Sequence, residues 1–136
     1  QYASAPALRR LTREAMEQHP ESDLWEHCGG DLAKIGGRST FEVARKTGDE
    51  TARAVCEQYV SYLGRGIVNL VNIFQPEVLC IGGGVSHEED AALLHPLQKI
   101  VERERYSQHC EKQTRIVKAQ LGNDAGIIGA AFLGMM

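Results

Sequence analysis

The chain has 136 residues, of which 43% are hydrophobic and 24% charged, and its formal net charge is -3. This composition predicts one soluble globular unit and excludes a disordered or fibrous protein. The mildly acidic charge balance indicates no basic surface that would bind nucleic acid or an anionic membrane. No apolar run is long enough to span a bilayer.

The amino terminus lacks the basic-then-apolar layout of a secretory signal, so we expect a cytoplasmic protein. Four cysteines stand far apart without a CxxC pair, and this spacing predicts neither a zinc knuckle nor a redox pair. In a reducing compartment we expect them to be small buried apolar residues: Cys28, Cys56, Cys80 and Cys110. The chain begins with Gln1 rather than methionine, and we therefore expect it to be a piece of a longer protein.

The first predicted helix is short and well bounded. Ser4 is a good N-cap, Pro6 suits the first helical turn, and the apolar stripe that follows ends before Pro20. Residues 21–37 are rich in glycine, and they predict a loop around a short helical turn from Leu24 to His27.

Two further helices are predicted in succession. Ser39 with Glu42 three residues later predicts a capping box, and Gly48 lies where a C-terminal cap is expected. Asp49 then caps a much longer helix, which Pro76 ends. The three-and-four spacing of its apolar residues predicts a buried face made of Ala52, Val55, Cys56, Tyr59, Val60, Leu63, Ile67, Leu70, Val71 and Phe74.

Two glycines, Gly64 and Gly66, fall inside this long helix. Each costs about 1 kcal/mol relative to alanine, so we expect a neighbouring element to approach closely at both positions. Tight packing is favoured here over contact with a ligand.

The carboxyl-terminal half alternates strands and helices. Val78 to Ile81 predicts a strand buried on both faces, and Pro96 lies in the first turn of the helix after it. Thr114 to Gln120 predicts a second strand, followed by a helix capped by Asn123 or Asp124. This order predicts an α/β fold with parallel strands joined by right-handed crossovers, although two strands make a small sheet.

Three consecutive glycines, Gly82, Gly83 and Gly84, follow the first strand. Open α/β sheets bind ligands at the carboxyl ends of their strands, and bare backbone suits a nucleotide. The stretch has neither a Walker lysine nor the G-x-G-x-x-G spacing. By itself, the triplet therefore predicts a structural turn as readily as a nucleotide contact.

Other chemical groupings favour simpler interpretations. His27 beside Cys28 offers zinc ligands, as does His109 beside Cys110, but adjacent side chains rarely point at one ion, and we expect no metal site. The acidic run 88–90 (Glu-Glu-Asp) suggests magnesium, yet a solvated helix start is favoured, because acids stabilise the positive end of a helix.

Several segments together resemble the ROK family of sugar kinases and repressors. They are "QYASAPAL", the long stretch "EQYVSYLGRGIVNLVNIFQPEVLCIGGGVS", and the ending "LGNDAGIIGAAFLG". The resemblance implies a helix-rich carboxyl-terminal part of an actin-like, ribonuclease-H-like ATPase lobe with parallel strands. It also implies that Gly82, Gly83 and Gly84 line the adenosine part of an ATP site, with Mg²⁺ expected in the whole enzyme.

The family's catalytic aspartate, phosphate-binding loop, zinc ligands and sugar-binding glutamate all precede the segments matched here. The resemblance therefore implies no catalytic or metal-binding residue in this chain. We expect residues 1–136 to be a single unit, a carboxyl-terminal fragment of a two-lobed, homo-oligomeric sugar kinase, above all a glucokinase, inactive by itself. The alternatives are the effector-binding part of a ROK repressor and an α/β interaction module without a nucleotide site.

Overall fold

The structure is a computed structural model that describes residues 2–121 and 124–134. Six helices and two strands form the described part of the chain. They are α1 (Ala5–Gln18), α2 (Asp23–His27), α3 (Ser39–Lys46), α4 (Glu50–Phe74), β1 (Val78–Ile81), α5 (Leu94–Glu104), β2 (Arg115–Lys118) and α6 (Ala125–Leu133). Short 3₁₀ turns lie at Leu32–Lys34 and Gly84–His87.

Helix α1 begins where the sequence predicts. The Ser4 hydroxyl accepts a hydrogen bond from the Ala7 backbone N–H at 3.2 Å, and Pro6 occupies the first turn. The short helical turn predicted near Leu24 is also present, as α2. Local capping chemistry was therefore sufficient to locate both starts.

The predicted capping box of α3 is wrong. Arg38 occupies the N-cap position, and Ser39 is the first helical residue. The Ser39 hydroxyl instead accepts from the Gly36 backbone N–H at 3.1 Å, while Glu42 pairs with Lys46 one turn later. The turn that begins at Gly36 therefore uses the Ser39 hydroxyl, which the predicted capping box required as an acceptor for the start of α3.

The long helix α4 begins at the predicted cap, Asp49. One of its carboxylate oxygens accepts from the Ala52 backbone N–H at 2.6 Å and from the Ser22 hydroxyl at 3.0 Å. The other oxygen accepts from the Asp23 backbone N–H at 3.0 Å. One carboxylate thus satisfies the starts of both α2 and α4 and holds them together.

The buried face of α4 follows the predicted spacing along most of the helix, and its buried residues are Ala52, Val55, Cys56, Tyr59, Val60, Gly64, Ile67, Val68 and Val71. The prediction fails near the end, where Leu70 is 46% exposed and Phe74 is 71% exposed. No part of the described chain covers these two side chains. Apolar spacing identified them as core residues, but their burial also requires a neighbouring element.

Gly64 is a point of close contact between helices, as predicted. A Cβ atom placed on Gly64 would lie 2.8 Å from Ile100 Cδ1 and 3.0 Å from Ile100 Cγ2 on α5. The same expectation is wrong for Gly66, where nothing lies within 4 Å of such an atom. The two glycines therefore make a matched pair, one packed and one open.

The two strands are parallel, as predicted, and pair from Val78 with Arg115 to Ile81 with Lys118. Leu79, Ile81 and Ile116 join the main core with α1, α3, α4 and α5. The prediction that β1 is buried on both faces is wrong, because Val78 is 43% exposed and Cys80 is also exposed. The core elements cover one side of this sheet, and its other side is open within the described chain.

The end of the chain contributes little to this core. Helix α6 has no buried residue, and its exposed apolar side chains include Ile127, Phe132 and Leu133. Asp124 occupies its N-cap position without a side-chain hydrogen bond, and Asn123, the other predicted cap, lies outside the described residues. An apolar helix without a covering neighbour is a second uncovered surface of this part of the chain.

The cysteines divide into two classes rather than the one predicted. Cys28 and Cys56 are buried, whereas Cys80 and Cys110 are exposed. Burial raises the pKa of the Cys56 thiol to about 12, so this group stays protonated at neutral pH. Among the described residues, none of the helices combines the length and the apolar character needed to cross a bilayer.

We predict that Gly64→Leu lowers the free energy of unfolding by about 1–3 kcal/mol, because the new side chain must displace Ile100 from its packing against α4. The matched control is Gly66→Leu, which adds the same atoms to open space and improves helix propensity. Urea unfolding monitored by circular dichroism measures both. Equal midpoints for the two variants would contradict the packing argument.

We also predict that the chain self-associates through the uncovered side of β1, because exposed apolar side chains on one face of a sheet favour contact with another chain. Light scattering over a wide concentration range should show the mass rising. Alkylation of Cys80, on that side of β1, should slow as concentration increases, while Cys110 in the loop before β2 reacts at a constant rate. A constant monomer mass would rule this out.

Candidate functional site

The glycine triplet lies at the carboxyl end of β1. The chain leaves the sheet at Gly82, turns at Gly83 with φ 78° and ψ -170°, and enters the 3₁₀ turn at Gly84. The buried Ser86 closes the turn, because its hydroxyl donates to the Gly83 carbonyl oxygen at 2.8 Å and its backbone N–H donates to the same oxygen at 3.1 Å. The triplet is therefore a fixed turn at the carboxyl ends of the parallel strands, the edge at which α/β proteins commonly bind ligands.

The turn itself explains one of the three glycines. Gly83 has a positive φ, which glycine adopts without strain. Gly82 and Gly84 do not have a positive φ. A Cβ atom on Gly82 would make an ordinary 3.8 Å contact with Ala119, and one on Gly84 would meet nothing within 4 Å. Neither backbone conformation nor packing within the described chain accounts for these two glycines, which leave a strip of exposed bare backbone.

A small cavity of about 110 Å³ opens beside Gly84. Four separate parts of the chain enclose it: the start of α1, the turn before α3, the middle of α4, and the turn after β1. Its lining consists of Ala5, Leu8, Gly37, Arg38, Tyr59, Gly84, Val85 and Glu88. The lining is mostly apolar, with one cation, Arg38, and one carboxylate, Glu88.

Tyr59 is a fixed part of this lining. Its phenol donates to the Ala3 carbonyl oxygen at 3.2 Å, and its ring packs edge-on against Phe41. Burial raises the pKa of Tyr59, so the phenol is neutral at physiological pH. The amino-terminal residues are thereby tied to α4 at the cavity.

Two of the three acids in the run after the triplet are engaged in ion pairs. Glu89 pairs with Arg45 at 2.9 Å, and Asp90 pairs with Lys118, whose hydrogen bond lowers the pKa of Asp90. These acids precede the helix rather than start it, since α5 begins only at Leu94. Within residues 2–121 and 124–134, no group of three histidine, cysteine or acidic side chains is placed to hold a metal ion.

Glu88 differs from its two acidic neighbours. It is half-buried, and among the described residues no hydrogen bond or ion pair reaches its carboxylate. Burial raises the pKa of Glu88, and the more distant charges of Arg45 and Arg38 offset part of that effect. Glu88 also lines a second, wider groove of about 370 Å³, whose floor includes Phe41.

Sequence reasoning identified the triplet but not the cavity beside it. The glycine run was a visible local signal, whereas Gly37, Arg38 and Tyr59 come to the site from distant parts of the chain. The sequence marks Glu88 only as a member of an acidic run, which suggests a magnesium site or the start of a helix. Its position in a cavity depends on the turn that the triplet makes, and no local pattern marks it.

Comparison with known proteins identifies the family to which this sequence and geometry are similar. The sequence profile of the ROK family matches residues 1–135. The glucokinase of Halalkalibacterium halodurans is 37% identical over 134 residues, covering 96% of this chain and 38% of the relative. The chain thus spans about two fifths of that relative's length.

Solved structures agree with the sequence match. A ROK family glucokinase from Streptomyces griseus, solved in complex with glucose and AMPPNP, superposes with a TM-score of 0.83 at 32% identity, covering 98% of this chain and 43% of that one. A ROK family transcriptional regulator, a homologue of the Escherichia coli MLC protein, superposes with a TM-score of 0.73 at 23% identity, covering 97% and 31%. The second likeness shows the fold alone.

The predicted fold class is confirmed: the chain is helix-rich with a small parallel sheet, and its structural neighbours are ROK sugar kinases with an actin-like ATPase fold. The family match extends over nearly the whole sequence, and it includes the glycine turn whose geometry is described above. The chain belongs to the ROK family.

Proposed function

We propose that this chain is the carboxyl-terminal part of an ATP-dependent sugar kinase, specifically a glucokinase. In this proposal it supplies the adenosine side of the ATP site. The observation that carries the proposal is the bare strip at Gly82 and Gly84, which neither the turn nor packing requires. The strip lies at the carboxyl end of a parallel strand, where α/β proteins bind nucleotides. The AMPPNP complex of the Streptomyces griseus relative supports the same assignment.

In this proposal the residues of the chain position the nucleotide and do not perform chemistry. Phosphoryl transfer depends on holding the donor and acceptor in line and on neutralising phosphate charge. Backbone without side chains at Gly82 to Gly84 lets a flat nucleoside lie directly against the peptide groups, and the small cavity beside Gly84 adjoins one edge of it. The catalytic base and the phosphate-binding loop belong to the other part of the enzyme.

Mg²⁺ shields the phosphate charge in such kinases. Two of the acids after the triplet are engaged, Glu89 by Arg45 and Asp90 by Lys118. Because the family resemblance assigns the phosphate-binding loop to the other part of the enzyme, we place the ligands of Mg²⁺ there and on the phosphates. The glucose that the Streptomyces griseus protein holds indicates the acceptor class we propose, a hexose.

We predict that the chain binds ATP and that Gly84→Val weakens this binding by about tenfold or more, because the branched side chain fills the space that the nucleoside would occupy. Isothermal titration calorimetry with ATP measures the dissociation constant. Gly84 is the informative position, since it has no positive φ and no neighbour within 4 Å, whereas a valine at Gly83 would also strain the turn.

The control for this experiment is Gly66→Val, which adds the same side chain in open space on α4. We expect its affinity for ATP to equal that of the unmodified chain. An unchanged affinity in Gly84→Val would remove the ligand role of the triplet and favour the interpretation as an interaction module.

We further predict that the purified chain has no sugar kinase activity of its own. With ATP and glucose, ADP formation in a coupled assay should stay at the rate without enzyme, because positioning alone does not supply a general base. The Halalkalibacterium halodurans glucokinase, assayed in parallel, is the positive control. Turnover by the chain would overturn its assignment as the non-catalytic part of a kinase.

A further inference from the structure

Glu88 lies where the two cavities meet. It lines the small cavity with Gly84 and Arg38, and it lines the wider groove with Phe41 and Arg45. It follows Gly84 by four residues, at the end of the 3₁₀ turn. A molecule lying on the glycine strip would therefore have this carboxylate beside it.

The carboxylate of Glu88 has unused acceptor capacity. It is half-buried, yet no donor among the described residues bonds to it, while the guanidinium of Arg45 is engaged by Glu89. Water rather than protein therefore supplies the hydrogen bonds of this carboxylate. A ligand that brings hydrogen-bond donors to this position can replace that water without leaving the carboxylate unpaired.

The negative charge and acceptor oxygens of the Glu88 carboxylate determine which group of a ligand can contact it. Phosphate groups are excluded, because like charges at short distance repel. A vicinal diol suits the position well, since two hydroxyl donors match the two oxygens of one carboxylate, and acidic side chains recognise ribose in this way in other nucleotide-binding folds.

We propose that Glu88 determines the specificity of the nucleotide site by accepting hydrogen bonds from the 2′- and 3′-hydroxyls of the ribose. This inference rests on the proposed nucleotide site and assigns it a preference for ribonucleotides over deoxyribonucleotides. Arg38, on the same cavity, balances the charge of Glu88 when the nucleoside displaces water from between them.

The test compares ATP with 2′,3′-dideoxyATP, which lacks both hydroxyls, by titration calorimetry on the whole chain. The unmodified chain should bind ATP about tenfold more tightly than the dideoxy analogue. Glu88→Ala should bind both about equally, and Glu88→Gln should retain part of the preference, because its amide oxygen still accepts a hydrogen bond. Glu89→Ala, which removes the neighbouring paired carboxylate, should keep the full preference.

The outcomes separate this inference from the proposed function. If ATP binds but Glu88→Ala keeps the unmodified preference, or loses affinity equally for both nucleotides, the ribose assignment is overturned and the nucleotide site stands. If the unmodified chain binds neither nucleotide, the proposed function fails, and the inference fails with it. Should Glu88→Ala not fold, as judged by circular dichroism, the isosteric Glu88→Gln decides, and an unmodified preference there overturns the assignment.

Discussion

The packing of α4 against α5, which brings Ile100 against Gly64, is the contact on which the rest of this structure depends. At 25 residues α4 is the longest element, and α1, α3 and α5 all pack against it. Its last residues lead through a left-handed turn at Gln75, with φ 44°, and Pro76 directly into β1. The position of the glycine triplet is therefore set by the helix that precedes its strand, and by the neighbours that hold that helix.

Much of this arrangement follows from local chemistry, because caps and helix ends are determined by residues within a few positions of one another. Ser4, Asp49 and Gly48 behave as the sequence predicts. The failures have a common cause: apolar spacing reports which residues favour burial, not which element covers them. Val78 and Phe74 are apolar at suitable positions and yet exposed, because the described chain places its covering helices elsewhere.

The candidate site was partly predictable for the same reason. Consecutive glycines after a strand are a local signal, and their cost in backbone entropy indicates a special role. The structure then distinguishes Gly83, which the turn requires, from Gly84, which it does not. The cavity beside them was not predictable, since Arg38 and Tyr59 reach it only through the packing of α3 and α4, and a single sequence carries no mark of that proximity.

The uncovered sheet and the candidate site are physically linked. The triplet is held in place by β1, and β1 is supported on one side, with Val78 and Cys80 facing outwards. A strand covered on one side opens more readily than one covered on both, and an apparent dissociation constant rises as the folded fraction of the site falls. If the triplet binds a nucleotide as we propose, any polypeptide that covers this side would therefore tighten that binding without touching the ligand. By linkage, the bound nucleotide would strengthen the docking of that polypeptide by the same factor.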